Sequence, residues 1–263
     1  MEHAPVLYRQ DGPLAWITLN RPDRLNALSS SVRDGLSQAL DQVDGSPDIR
    51  AIVVTGNGRA FCAGGDLDEF KIDIDRGEYA VAAEKVAGAS GLLSRLENSP
   101  RPVIAAVNGL AVAGGLELIL CCDMVISAAG VRIGDGHLRY GVLPGGGGSI
   151  RLPRKLTPNR ANQLLLTGEM LPAEILRDWG LVNEVVPLDQ LLQRAAEVAT
   201  LVSKRTPLGM AYIKRLVRCA HDQPLEEALA SETSAFAEYV RSADFREGLA
   251  AFAAKREPAF TGK

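Results

Sequence analysis

Two stretches of small residues carry backbone groups that suit the binding of a negative charge. Residues 60–67 read AFCAGGDL, and residues 108–118 read NGLAVAGGLEL, with paired glycines where a helix is predicted to begin. The first turn of a helix has N–H groups without intrahelical partners, at the positive end of the helix dipole. Such donors stabilise an oxyanion that develops on a carbonyl oxygen. The alternative role of these glycines is to allow tight turns and close helix packing.

A single carboxylate follows the second stretch. Glu117 stands three residues after Gly114, so its side chain can turn back toward the pocket that would hold the oxyanion. This position suits a general base. The alternative is a carboxylate that only complements the helix dipole, which is worth a few tenths to about 1 kcal/mol.

Alternating strands and helices are predicted to position these groups. Apolar alternation around the turn residues Asp11, Gly12 and Pro13 predicts a hairpin of residues 6–10 and 14–20. Continuous apolar runs predict strands that are covered on both faces, and periodic segments between them predict helices, which together indicate an α/β fold with parallel pairing. The strands are residues 51–55, 103–107 and 125–127, and the helices are residues 29–44, 80–97 and 115–122.

The pattern changes after Pro187. Four helical segments follow, divided by Thr206 with Pro207, by Pro224 and by Ser242. We therefore predict a core of residues 1–187 that holds the site and a helical region of residues 188–263. The four helices are residues 188–203, 207–221, 225–240 and 243–256.

Composition narrows the class of partner. The chain has 263 residues, of which 46% are hydrophobic and 23% charged, with a formal net charge of −3 and no basic run. This balance disfavours nucleic acid and favours a small-molecule substrate. No apolar run reaches the length of a membrane span and the N-terminus lacks a secretory pattern, so we expect a soluble protein without membrane contact.

The cysteines and histidines lack the spacing that is typical of metal ligands or of a disulfide framework. None of the four cysteines forms a C-x-x-C pair, and Cys121 with Cys122 lies on an apolar segment that predicts burial. His3, His137 and His221 are far apart in sequence. We therefore expect a reduced, cytoplasmic protein with neither a disulfide framework nor a metal site.

Taken in order, these motifs resemble the enoyl-CoA hydratase/isomerase family, also called the crotonase family. The resemblance covers almost the whole chain, from ITLNRPDRLNAL at residues 17–28 and AIVVTG at 51–56, through RPVIAAVNG at 101–109 and LPGGGGSIRL at 143–152, to the closing FAAKREPAF. It implies the crotonase (ClpP-like) spiral of repeated ββα units, with C-terminal helices that assist trimerisation. Homotrimers, or dimers of trimers, are expected.

The resemblance also assigns roles to residues. It makes the backbone N–H groups of Cys62 and Gly114 the two oxyanion donors, and it matches Glu117 to the first of two glutamates that hydratases use. Coenzyme A enters as part of an acyl-CoA substrate, with no separate tightly bound cofactor. Its predicted contacts are Arg24, Leu25, Ala27, Ala63, Gly65, Asp66 and Leu67, with Phe252 and Lys255 from a neighbouring subunit.

One position departs from the family pattern. Aligning the glycine run places His137 where hydratases usually carry the second glutamate. An imidazole exchanges protons near neutral pH, so His137 is a candidate proton donor, with shaping of the acyl pocket as the alternative. Asp135 is an alternative acid or base or a turn acceptor, and Tyr140 an alternative hydrogen-bond donor or core residue.

The leading hypothesis is therefore hydration of a 2-enoyl-CoA to a 3-hydroxyacyl-CoA, or the reverse. A double-bond isomerase is the first alternative, because one base and an oxyanion hole suffice to move a proton between carbons. Acyl-CoA hydrolysis or carbon–carbon cleavage in the same pocket comes next. A non-catalytic acyl-CoA binding protein is the last alternative.

Overall fold

The chain begins with the predicted hairpin. In the computed structural model, which describes residues 4–263 and leaves His3 outside that range, β1 (Val6–Asp11) pairs antiparallel with β2 (Leu14–Leu19). Gly12 closes the turn with a φ of 55°, a left-handed conformation that glycine adopts without steric cost. β1 is largely exposed whereas β2 is almost fully buried, so β1 forms the edge of the sheet.

A six-stranded sheet forms the centre of the molecule. The strand order is β1-β2-β3-β5-β7-β10, and every pair after the hairpin is parallel. The middle strands are apolar without alternation because the sheet is covered on both faces. The further strands are β3 (Ala51–Gly56), β5 (Val103–Val107), β7 (Met124–Ala128) and β10 (Glu184–Val186).

A second sheet of short strands lies after the ends of these long strands. Its order is β4-β6-β8-β9, with parallel pairs except for the antiparallel β8–β9 pair. Because β3, β5 and β7 are each followed directly by a strand of this second sheet, the chain repeats a ββα unit, as the spiral fold requires. The strands are β4 (Ala60–Cys62), β6 (Leu110–Val112), β8 (Arg132–Gly134) and β9 (Met170–Pro172).

Seven α-helices cover the sheets in the described residues before the C-terminal region. α1 (Ser30–Gly45) begins where the hydroxyl of Ser29 accepts a hydrogen bond from the N–H of Val32 at 3.3 Å. Cys121 and Cys122, which follow α4, are buried as predicted. The other helices are α2 (Leu67–Asp75), α3 (Tyr79–Glu97), α4 (Gly114–Leu120), α5 (Gly148–Lys155), α6 (Pro158–Thr167) and α7 (Ala173–Trp179).

Four more helices end the chain, as predicted. α8 (Leu191–Ser203) packs against β3, β5 and β7, and its buried residues belong to the main core. The compact core therefore extends to Ser203, past the predicted division after residue 187. The outer helices are α9 (Pro207–Cys219), α10 (Leu225–Tyr239) and α11 (Ala243–Ala254). Within residues 4–263, no helix has both the length and the apolarity needed to cross a membrane.

Candidate active site

The site begins at the turn from β6 into α4. Ala113 occupies this turn with φ 55° and ψ −116°, a conformation that non-glycine residues rarely adopt and that costs about 1–3 kcal/mol. Its N–H donates to the carbonyl of Gly134 at 3.1 Å, and its carbonyl accepts from the N–H of Glu117 at 3.0 Å. These bonds hold the strained residue in place and fix the start of α4 at Gly114.

Two backbone segments meet at this helix start because each has a glycine at the contact, Gly64 on one and Gly114 on the other. A Cβ added to Gly114 would lie 3.2 Å from Cα and 3.3 Å from the carbonyl carbon of Gly64, which is bonded to the nitrogen of Gly65. A Cβ added to Gly64 would lie 3.3 Å from the nitrogen of Gly114. Side chains at these positions would therefore push the two segments apart.

The N–H groups of Gly65 and Gly114 are the free donors at this junction. Both residues line one cavity. In the described part of the chain, no hydrogen bond uses either N–H group. Unpaired N–H groups on two neighbouring residues that line one cavity suit an oxyanion hole.

Cys62 does not line this cavity, so the prediction that its N–H is the second oxyanion donor is wrong. It ends β4, pairs with Ala111 of β6 and is fully buried. Its carbonyl packs against α4, since a Cβ added to Gly115 would overlap that oxygen. Burial raises the pKa of its thiol to about 12, so the sulfur stays protonated. The backbone that reaches the cavity beside Gly114 is that of Gly65.

Glu117 lies one turn into α4 and is held by the glycine run. Its Oε1 accepts hydrogen bonds from the N–H of Gly146 at 2.8 Å and of Gly148 at 2.9 Å. The side chain is buried and lines the cavity. Among residues 4–263, no group donates a hydrogen bond to Oε2, which leaves this oxygen for a ligand.

His137 lines the same cavity and is paired with Asp135. Its Nδ1 lies 2.9 Å from Oδ2 of Asp135, and its backbone N–H donates to Oδ1 at 3.2 Å. Burial lowers the pKa of His137, but the hydrogen bond to Asp135 and the charges of Asp135 and Glu117 outweigh it, so the pKa is raised overall. The imidazole therefore holds its proton to a higher pH than an ordinary histidine.

The two acidic residues approach the same glycine. A Cβ added to Gly148 would lie 3.3 Å from Oε1 of Glu117 and 3.3 Å from Oδ2 of Asp135. The structure thus brings Glu117 of α4 together with Asp135 and His137, which lie about twenty residues further along the chain.

The cavity behind these groups is small and mainly apolar. Its volume is about 160 Å³. Helix α3 supplies one wall, which packs against the glycine run because Gly145 has no Cβ to meet Val86. The apolar lining includes Leu28, Phe70, Val86, Ala89, Leu93, Val112, Val142 and Leu143. Of this lining, the sequence indicated only the segment of residues 71–88, which holds Val86. The other helical members, Phe70, Ala89 and Leu93, have a periodicity that resembles that of ordinary core positions.

Part of the predicted coenzyme A set lies at this cavity. Ala63, Gly65 and Leu67 line it. Leu25 is attached to this segment, because its carbonyl accepts a hydrogen bond from the N–H of Ala63 at 3.0 Å. Ala27 follows on the same loop and accepts from the N–H of Ser29 at 2.8 Å.

The predicted charged contacts are engaged in ion pairs next to the cavity. Arg24 pairs with Asp68 at 2.9 Å, where both side chains are exposed and the pair is weak. Asp66 pairs with Arg21 at 3.0 Å. Neither Arg24 nor Asp66 lines the cavity.

Phe252 and Lys255 lie far along the chain, at the end of α11. Phe252 is 86% exposed, and Lys255 ends the helix with a φ of 50°. Neither lines the cavity of its own chain. Their contribution to the site of a neighbouring subunit stays a prediction.

Tyr140 stands at the rim of the cavity. It lines the opening and is 77% exposed, so the alternative of a core residue is wrong. Its ring is available to a ligand. His221 lines a different hollow, beside α9, and no group of three or more His, Cys, Asp or Glu side chains in residues 4–263 is arranged to hold a metal ion.

Comparison with known proteins matches the chain to one family over nearly its whole length. The model of the enoyl-CoA hydratase/isomerase family matches residues 9–263. The chain is 38% identical over 261 residues to the probable enoyl-CoA hydratase echA8 of Mycobacterium tuberculosis, covering 99% of both chains. It is 36% identical over 247 residues to 1,2-epoxyphenylacetyl-CoA isomerase of Escherichia coli K12, covering 94% of both.

Solved structures agree with the sequence relatives. The enoyl-CoA hydratase of Bacillus anthracis superimposes with a TM-score of 0.92 at 32% identity, covering 98% of this chain and 100% of that one. The enoyl-CoA hydratase of Polaromonas sp. JS666 gives 0.92 at 34% identity, covering 97% and 99%. The predicted spiral fold is therefore confirmed, and the chain belongs to the enoyl-CoA hydratase/isomerase family of enzymes.

Proposed function

We propose that this enzyme adds water to the double bond of a 2-enoyl-CoA to give a 3-hydroxyacyl-CoA, and catalyses the reverse reaction. The observation that carries the proposal is the shared cavity. It is lined by the two glycines with free N–H groups, Gly65 and Gly114, and by two proton-transfer side chains, Glu117 and His137. All parts of a hydration site are therefore within reach of one small acyl group.

The thioester oxygen binds between the N–H groups of Gly65 and Gly114. Attack at C3 of the enoyl group moves charge onto this oxygen, and both donors bind the enolate more strongly than the neutral carbonyl. Loss of one such donor typically lowers kcat by about 10²- to 10³-fold. The strained turn at Ala113 sets the position of one donor before substrate arrives.

Glu117 and His137 divide the proton transfers. Glu117 accepts a proton from water through the oxygen that the glycine run leaves free, while the water oxygen bonds to C3. The protonated Nε2 of His137 then delivers a proton to C2 of the enolate. The net change is one water added, and proton exchange between the two residues and solvent restores their starting states.

Isomerisation is the second candidate. Glu117 and the oxyanion donors alone suffice to remove a proton from one carbon and return it to another, so this route needs no attacking water. One relative is named as an isomerase, 1,2-epoxyphenylacetyl-CoA isomerase, which supports isomerisation as the second candidate.

We further propose that the acyl chain is apolar. The inner wall of the cavity carries Phe70, Val86 and Leu93, and Arg33 is the one Lys or Arg side chain of the described chain that lines it. The guanidinium of Arg33 is engaged by the carbonyl of Leu28 and the hydroxyl of Ser30. With Arg33 held by these contacts and His137 assigned to proton transfer, the cavity offers the acyl chain mainly apolar contacts.

We also propose that the protein assembles as a trimer or a dimer of trimers in the cytoplasm. The outer helices expose large apolar side chains, which favours a covered surface. The side chains are Ile213, Val217, Leu225, Leu229, Phe236, Leu249 and Phe252. Coenzyme A would enter only as part of the substrate, with Phe252 and Lys255 of a neighbour beside it.

The test of the proposed function is product analysis in isotopic water. Purified protein is incubated with a panel of 2-enoyl-CoA and 3-enoyl-CoA thioesters in ¹⁸O-labelled water, and the masses of the products are measured by mass spectrometry. Hydration adds one labelled water to the 2-enoyl thioester. Isomerisation leaves the mass unchanged apart from solvent hydrogen, and a product of that kind alone would replace the proposal with the second candidate.

A further inference from the structure

We infer that Asp135 is a positioning residue that fixes the tautomer and the charge of His137. The inference deepens the proposed function and rests on it for the role of Nε2. The two residues make two contacts in one short segment: Oδ2 of Asp135 lies 2.9 Å from Nδ1 of His137, and Oδ1 accepts a hydrogen bond from the backbone N–H of His137 at 3.2 Å. The ring and its backbone are therefore held by one carboxylate.

The backbone between the two residues is shaped for this contact. Gly136 has a φ of 68°, which glycine adopts without penalty and which brings the carboxylate of Asp135 back to the N–H of His137. A Cβ at this position would also lie 2.5 Å from Cγ2 of Val112. Both the conformation and the packing require glycine, so the turn that creates the contact is built into the chain.

Asp135 has one cationic partner. Its side chain is fully buried, and in residues 4–263 no Lys or Arg lies within ion-pair distance of it. A buried carboxylate that lacks a paired cation is strongly destabilised. His137 is the group that compensates this charge when its ring is protonated.

The surroundings of His137 contain few other charges. Glu117 faces it from α4, and its negative charge acts in the same direction as that of Asp135. The glycine run of residues 145–148 has no titratable side chain. Arg139 lies on the same turn as His137, and its side chain packs against Gly168, the residue that follows α6.

This geometry determines which nitrogen reacts. With Nδ1–H donated to Asp135, the exchangeable position is Nε2, which has no hydrogen-bond partner in the described chain. The Nε2 proton goes to C2 of the enolate and is regained from solvent or, in the reverse direction, from C2. In this scheme the Nδ1 proton stays on His137 throughout, donated to Asp135.

The first test is the titration of His137 by NMR in Asp135→Asn, which keeps the shape of the side chain and removes its charge. We expect the pKa of His137 to fall by about one unit or more, because an opposite charge at this distance raises a histidine pKa by that amount. We also expect kcat for hydration to fall by about tenfold or more near neutral pH, with little change in KM. Asp73→Asn is the matched control, since Asp73 is also buried and pairs with Lys85 at 2.5 Å, and it should change neither value.

The second measurement needs no variant. In the wild-type protein above the pKa of His137, the ¹⁵N shifts should show the Nδ1–H tautomer, which is the less common form of a free neutral histidine. An Nε2–H tautomer, or an unchanged His137 pKa in Asp135→Asn, would overturn the inference. If both results hold but the wild-type protein hydrates no enoyl-CoA, the positioning role stands and the proposed function fails.

Discussion

The backbone N–H of Gly148 donates a 2.9 Å hydrogen bond to Oε1 of Glu117, at the first residue of α5. Together with the N–H of Gly146, it orients the carboxylate from the side opposite its own helix. The glycine run thus contributes to the site through its main chain, and the proposed base depends on residues about thirty positions away.

Gly146→Ala tests this dependence. A Cβ at Gly146 would lie 2.5 Å from Oε2 of Glu117 and 2.9 Å from Cδ1 of Leu93, so the carboxylate must move. We expect kcat to fall by about 10²-fold, the scale of losing a positioned proton-transfer group. Steady-state kinetics with thermal melting separates this loss from unfolding.

Gly88→Ala is the control for that substitution. Gly88 lies on α3, and an added Cβ would have no atom within 4 Å. Alanine at an exposed helix position should leave activity unchanged and raise stability by roughly 0.5–1 kcal/mol. If Gly146→Ala were as active as Gly88→Ala, the glycine run would have no part in orienting Glu117.

Gly114→Ala tests the oxyanion hole without relying on proton transfer. The added Cβ would lie 3.1 Å from Leu28 and 3.2 Å from Gly64, which separates the donor pair. A bound chromophoric cinnamoyl-CoA should absorb at longer wavelength in the wild-type protein, because both N–H groups polarise its carbonyl. The shift should shrink in the variant, with kcat lower by about 10²- to 10³-fold. An identical spectral shift in the two proteins would show that Gly114 is not a donor.

The pH dependence follows from the raised pKa of His137. As a proton donor, His137 acts in its protonated form, so the hydration rate is sustained below its folded pKa and lost as pH rises through it. Because that pKa is raised, the descending limb of kcat should lie above about pH 6.5, the ordinary histidine value. Hydration kinetics across pH measures this limb. A rate that rises through the same range would mean that His137 acts as a base instead.

Ala89→Leu tests the proposed acyl pocket. Ala89 lines the cavity, and a larger side chain there shortens it. We expect kcat/KM for longer acyl chains to fall by about tenfold or more relative to the shortest substrate, since one methylene in such a pocket is worth about 1–3 kcal/mol. Ala87→Leu, at an exposed position of the same helix, should not alter the chain-length profile. Equal profiles for all three proteins would place the acyl chain elsewhere.

The long elements were predictable because their pattern extends over many residues. The strand at residues 103–107 is observed with the predicted bounds, and α1 begins one residue after the predicted start at Ser29. The strands of the second sheet have three residues each, which is too few for any periodicity. They form because the ββα repeat places them side by side.

The site was predictable only in part, for a similar reason. Glu117 and His137 were identified from their places in motifs, and both line the cavity. The donor beside Gly114 was assigned to Cys62, because sequence alone does not show which N–H of an irregular loop faces the ligand. The contact of Asp135 with His137 depends on the left-handed turn at Gly136, and residue types alone leave that turn undetermined.

The most direct test of the central claim compares the wild-type protein with Glu117→Gln and His137→Ala in one assay, the loss of the conjugated-thioester absorbance of a short 2-enoyl-CoA. In Glu117→Gln the amide oxygen of the new side chain can still accept the N–H groups of the glycine run, so this variant should fold while losing about 10²- to 10⁴-fold in rate. His137→Ala should lose rate on the same scale. A fully active Glu117→Gln variant, or a wild-type protein that leaves the absorbance unchanged, would contradict the account.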